Sequence, residues 1–254
     1  MKLLFYLFIG ILLFSGCFKG KFLGGPNYFE NDFENYSILE DLLLPANQFW
    51  SFTQLTRTEN SIQLDSVTVF SGNKSLRFNA LKSSDEIVSK ASIAKQNMSF
   101  KEGETVRLSA RYFIQGTDSL DWLFLMDLEE QTAIGAGPGM RLAMVNNQLR
   151  IEYKFNEKDI TQAIGQETDF PRNEWVELVW EVKLSQKKRG SVKLWQNGQL
   201  IIDVKNKRTL PKDVLYFLQG TKGMYSSCEI GITANSKMND LTLYVDAIKF
   251  EKVN

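Results

Sequence analysis

The sequence predicts an all-β domain, built as a sandwich or a barrel. Three observations carry that prediction. Beyond Trp50, about eleven short segments alternate apolar and polar residues at regular spacing. Turn-forming clusters separate them, among them SGNKS, KEGE, NNQ and Asn197-Gly198. The one helix candidate, Ser37–Leu44 (SILEDLLL), is stopped by Pro45 after one or two turns.

The elements follow in chain order. Residues 1–16 read MKLLFYLFIGILLFSG: one early lysine, a long apolar run, then small residues. That is the layout of a secretory signal. Phe14-Ser15-Gly16-Cys17 resembles the bacterial lipobox, with Phe14 where leucine is usual, and makes Cys17 the lipidation candidate. The alternatives are an uncleaved membrane anchor or an ordinary signal ending near a cysteine. The apolar run is short for a span, which needs about 20 residues. Residues 17–27 then form a tether without periodicity, and residues 28–254 a single domain. The expected address is the cell envelope, on a lipid anchor.

Within the domain, SLRFNAL places Leu76, Phe78 and Ala80 on one face. TVRLSARYFIQG and WVELVWEVKLS alternate cleanly, and MRLAMV, NNQ and LRIEYKF form a hairpin. GSVKLWQNGQLIID is a second hairpin, because Asn-Gly between apolar runs suits a type I′ turn. CEIGITAN and LTLYVDAIKF close the chain, and Cys228 is expected as a buried thiol.

Composition removes several kinds of chemistry. Thirty basic residues balance thirty acidic ones, so no general nucleic-acid surface is expected. There is no histidine, which excludes Ser-His-Asp and Cys-His devices and histidine zinc sites. Acid–base work falls to Asp, Glu, Lys or Tyr. No cofactor is called for. Asn and Asp cluster at 235–240 and at Asp246, which leaves Ca²⁺ as a minor possibility, without EF-hand spacing.

Trp175-Val176-Glu177 followed by Gly190-Ser191-Val192-Lys193-Leu194-Trp195-Gln196-Asn197-Gly198 resembles the hairpin of concanavalin A-like jelly rolls. The chain is similar to bacterial polysaccharide lyases of the heparin lyase I-like and glucuronan lyase-like kind, and to related carbohydrate-binding proteins. EIGITAN and Tyr244-Val245-Asp246-Ala247-Ile248 resemble their closing strands, and DFEN with FSGNKSLRF their opening ones. The resemblance implies a two-sheet antiparallel jelly-roll β-sandwich with a glycan groove on the concave sheet. In the lyase members an amide or Arg neutralises a uronate carboxylate. A His, Tyr or Lys takes the C5 proton, and a Tyr often protonates the leaving oxygen. Tyr216-Phe217-Leu218-Gln219-Gly220 resembles a Tyr-Phe-Lys-x-Gly strand of alginate-type lyases, with Leu218 where lysine stands.

Strand parity selects the candidate residues. Arg150, Glu152 and Lys154 share one face, and Arg141 lies opposite Met140 and Leu142. Asp127 and Glu129 share a face with Leu123 and Leu125 on uninterrupted alternation. Asp127, Glu129, Arg141, Glu152 and Lys154 are therefore the expected floor of a glycan groove, unless they are a solvated face of cross-strand ion pairs. The carboxylate pair Asp127-x-Glu129 also suits a glycosidase, but Leu125 stands where such enzymes carry another Glu. Among the aromatics Trp50, Trp122, Trp175, Trp180 and Trp195, Trp180 alternates with core residues. Trp195 shares parity with Lys193 instead, as a platform or as a cover for a neighbouring strand.

Three functions follow from this reading. The leading one is a lipid-anchored protein that binds polysaccharide without cleaving it. The alternative is a uronate polysaccharide lyase with Tyr153 or Tyr225 as base or acid and Arg141 or Gln219 at the carboxylate. The third is a structural or adhesion lipoprotein.

Overall fold

The computed structural model describes residues 25–130, 137–155, 157–211 and 223–253. Cys17, Gln219 and the rest of Tyr216–Gly220 lie outside the described residues. The chain runs through β1 (Tyr28–Asn31), a 3-10 helix (Leu39–Leu43), β2 (Phe52–Leu55), β3 (Ser61–Asp65), β4 (Ser75–Ala80) and β5 (Ala91–Lys95). It continues through β6 (Phe100–Lys101), β7 (Thr105–Ile114), β8 (Trp122–Glu129), β9 (Gly139–Val145) and β10 (Gln148–Tyr153). β11 (Trp175–Lys183), β12 (Gly190–Gln196), β13 (Gln199–Lys207), β14 (Met224–Tyr225), β15 (Ser227–Asn235) and β16 (Leu241–Val253) complete it.

The strands make a jelly-roll sandwich. An eight-stranded back sheet has the order β13-β12-β11-β7-β16-β4-β3, with β1 also on β16. A six-stranded front sheet has the order β10-β9-β8-β15-β5-β2, and β14 pairs with β6. Every pairing is antiparallel, so alternation can bury one face of each sheet. From the back sheet Val106, Leu108, Tyr112, Ile114, Val176, Leu178 and Trp180 turn inward. Met140, Leu142, Met144, Leu149 and Ile151 meet them from the front. Trp50 and Cys228 are also buried, Trp50 edge-on to Phe29.

Local chemistry sets the element ends. Asn197 and Gly198 have φ of 49° and 77°, and Asn146 and Asn147 have 48° and 65°, so both predicted hairpins close on the left-handed residues of a type I′ turn. SIQLDSVTVF alternates as one long strand in the sequence, yet pairing ends at Asp65. Its carboxylate accepts the N–H groups of Val67 and Thr68 and bends the chain away. The helix candidate forms one short 3-10 segment, with Asp41 accepting from the N–H groups of Ser37 and Ile38.

Candidate functional site

The outer face of the front sheet carries a row of charges set directly across the strands. Glu152 on β10 is opposite Arg141 on β9, which is opposite Asp127 on β8, which is opposite Glu229 on β15. Arg141 Nε donates to Asp127 Oδ1 at 2.7 Å, and its Nη1 lies 4.0 Å from Glu152. Arg150 pairs with Glu152. Lys154, just past the end of β10, pairs with both Glu129 and Asp127, the latter at 3.0 Å.

Two local features put these groups together. The first is a bulge between Phe124 and Met126 in the β8–β9 ladder. It inserts a residue and reverses the alternation, so Leu123 and Leu125 face the core while Asp127 and Glu129 face out. Uninterrupted alternation put all four on one face, and the bulge corrects that expectation. Arg141 confirms the arrangement, because its guanidinium sits 4.0 Å from the Phe124 ring centroid while it bonds Asp127. The second feature is Gly139, between Glu129 and Lys154. A Cβ there would come within 2.2 Å of the Leu128 carbonyl and 3.1 Å of Glu129 Cγ. Only glycine lets the chain pass this close and leaves Lys154 free to reach Glu129.

The electrostatics are those of a dry cluster. Asp127 is 2% exposed and Glu129 3%. Burial opposes the charge on Asp127, but Lys154 and Arg141 outweigh it and hold the carboxyl down at about 2. Glu229 moves the other way. Burial and the Asp127 charge raise it above the usual carboxylate range, although Ser92 donates a hydrogen bond to it. Sequence reasoning did not single out Glu229 within CEIGITAN. The available signal was the polar parity of Ser227, Glu229 and Thr233. Beside the row, along β8, Trp122 and Phe124, with ring centroids 4.8 Å apart, add a half-buried aromatic surface.

The structure thus joins Asp127, Glu129, Arg141, Glu152 and Lys154, and leaves the remaining candidates elsewhere. Tyr153 points into the core, with its hydroxyl buried and without a hydrogen-bond partner among the described residues. Tyr225 is fully buried and donates to the Thr209 carbonyl at 2.6 Å. Burial raises both phenols. The expected convergence of Arg141 with Tyr153 or Tyr225 is therefore not seen, because Tyr153 alternates to the opposite side of the sheet. Trp195 is half-buried on the outer face of the back sheet, across from Val179, with Lys193 Nζ 5.9 Å from its ring centroid. That is the wrong sheet for the row. Asp246 and Asp240 spend carboxylate oxygens on backbone N–H groups, of Phe70 and Ser71 and of Lys82 respectively. Among the described residues no group of three or more acidic or thiol side chains is placed to hold a metal ion.

A family model described as polysaccharide lyase matches residues 46–249. Solved structures share the fold. An endo-β-1,4-glucuronan lyase from the fungus Trichoderma reesei aligns at TM-score 0.65 and 13% identity over 89% of this chain and 94% of that one. The cellulose induced protein Cip1 aligns at 0.61 and 13% identity, over 87% and 96%. An alginate lyase variant in complex with an alginate tetrasaccharide aligns at 0.57 and 11%, over 91% and 99%. No curated protein sequence matches the chain.

Proposed function

Because the chain belongs to the polysaccharide lyase family, we propose that it cleaves a uronate-containing polysaccharide by β-elimination on the outer face of the front sheet. The observation that carries this reading is the cross-strand row Glu152–Arg141–Asp127–Glu229 with Lys154 at its edge. Arg141 gives its Nε to Asp127, and among the described residues its other nitrogens meet only Glu152, at 4.0 Å. Those nitrogens meet the uronate carboxylate and make the adjacent C5 proton easier to remove. Lys154 moves the proton, since a guanidinium cannot give one up. Lys154 takes the hydrogen from C5, the electron pair left behind forms the C4=C5 double bond, the C4–O4 bond breaks, and Lys154 hands the proton on to O4, which leaves as a hydroxyl. Trp122 and Phe124 stack on a neighbouring sugar ring.

The test follows unsaturated product by absorbance, with alginate, glucuronan and glycosaminoglycans as substrates. The expected result is product from at least one polymer, lost in Lys154→Ala and Arg141→Ala. No product from any uronate polymer overturns the reading. Binding without cleavage is the second reading, favoured by the fact that Asp127 and Lys154 are already paired with each other. It is identified by retention on a uronate polymer without product. Cys17 behind its apolar leader would tether the domain to a membrane surface, which the mass of the mature N-terminus tests.

A further inference from the structure

The outer face of the back sheet carries a second ordered row. Gln63, Arg77, Tyr244, Phe113 and Trp175 are direct cross-strand partners over β3, β4, β16, β7 and β11. At about 4.8 Å per strand the row spans about 19 Å. Its rings touch in sequence: Tyr244 to Phe113 and Phe113 to Trp175, each at 5.7 Å between centroids. Phe70 reaches over from the β3–β4 connection to Trp175 at 5.9 Å and is 42% exposed. That connection is pinned, since the buried Asp246 carboxylate accepts the N–H groups of Phe70 and Ser71. Phe70 is therefore held out over the sheet by a fixed loop.

Two arginines sit among the rings. Arg111 lies 4.3 Å from the Phe70 centroid and pairs with Glu177. Arg77 lies 5.9 Å from the Tyr244 centroid, and its Nε is buried with no acceptor among the described residues. No carboxylate among the described residues pairs with Arg77, whereas Arg107 on the same face has both Glu181 and Glu251. Phe70, Phe113 and Trp175 keep ring surface exposed while Tyr244 beside Arg77 is buried, and this apolar surface with an unpaired planar cation at its edge suits a ligand that offers apolar CH faces and carboxylates in alternation. An anionic polysaccharide does so.

We propose that this face is a second, non-catalytic binding site for a uronate-bearing polysaccharide chain, centred on Phe70, Trp175 and Arg77. The proposal rests on the lyase reading for the class of ligand. The site lies on the opposite side of the sandwich from the charged row, so it holds polymer without approaching the reacting bond.

The test uses the full chain and affinity electrophoresis through gels containing alginate or glucuronan, beside turnover of a short oligouronate. Phe70→Ala/Arg77→Gln is expected to bind polymer about tenfold more weakly while its turnover of the oligouronate is unchanged. Arg77→Gln alone, with the ring cluster intact, is expected to lose part of the retention. Lys154→Ala is expected to lose turnover and keep retention. Unchanged retention in both back-face variants overturns the second site and leaves the lyase reading standing. A wild-type chain that is neither retained by any uronate polymer nor active on it overturns both.

Discussion

Arg141 binds the buried carboxylate of Asp127 at 2.7 Å directly across the β8–β9 ladder, and the same guanidinium covers the Phe124 ring at 4.0 Å. One side chain thus ties the carboxylate just beyond the bulge to the aromatic that begins it. The charge on Asp127 is held against burial by Lys154 and Arg141, which both face it. The pair is therefore part of the fold as well as of the proposed site.

Asp127→Ala is expected to destabilise the domain by about 3 kcal/mol, because Arg141 loses its close carboxylate and Lys154 is left with Glu129 alone. Chemical denaturation at neutral pH measures it. The wild type should also lose stability in acid in a defined window. The folded carboxyl sits at about 2, below an unfolded value near 3.9, so its contribution is complete above about pH 4 and disappears as pH falls towards 2. That contribution is about 2 kcal/mol. An acid unfolding curve for Asp127→Asn that matches the wild type between these limits would remove Asp127 as the cause.

Glu229 predicts the opposite sign. Its folded pKa is raised, so its ionisation works against the fold as pH rises above the unfolded value near 4.3. Glu229→Gln keeps the shape and can still accept from Ser92 Oγ, but carries no charge beside Asp127. The variant should melt higher than wild type at pH 7 and at the same temperature at pH 4. Thermal melts at the two pH values decide it, and an equal shift at both would mean that packing, not charge, separates the proteins.

The two tyrosines should be dispensable for chemistry. Tyr153→Phe removes a buried hydroxyl that has no partner among the described residues and is expected to leave stability unchanged or improved by about 1 kcal/mol. Tyr225→Phe forfeits the bond to the Thr209 carbonyl and is expected to cost about 1 kcal/mol. Product formation should persist in both. Loss of product by a Tyr153→Phe protein that melts like wild type would return the phenol to the mechanism.

These contrasts show what was legible in the sequence. Alternation placed Arg141 opposite Met140 and Leu142, and set Arg150, Glu152 and Lys154 on one face, because β9 and β10 are regular strands joined by a tight Asn146-Asn147 turn. The same rule misassigned Asp127 and Glu129, because a bulge leaves no mark in WLFLMDLEE. Glu229 was not legible at all as a partner of Asp127. The two are brought together by a pairing between strands far apart in the chain, and that pairing adds the Asp127 charge to the burial that raises Glu229. Trp195 was given the right parity, but parity does not say which sheet a strand joins.

Trp122 supplies the last prediction. It lies on the outward face of β8 two residues before Phe124, with its ring tilted 38° against Phe124. Phe124 in turn is under Arg141, so Phe124 orients the cation while Trp122 offers a partly free face. A ring stacked on a sugar beside the reacting bond holds substrate and transition state equally. Trp122→Ala should therefore raise KM about fivefold to tenfold and leave kcat within about twofold of wild type. Phe124→Ala should lower kcat as well, since Arg141 loses the surface that fixes it. Steady-state kinetics on a soluble oligouronate separate the two. A Trp122→Ala protein with lowered kcat and unaltered KM would show that this ring acts on the reacting centre and not as a sugar platform.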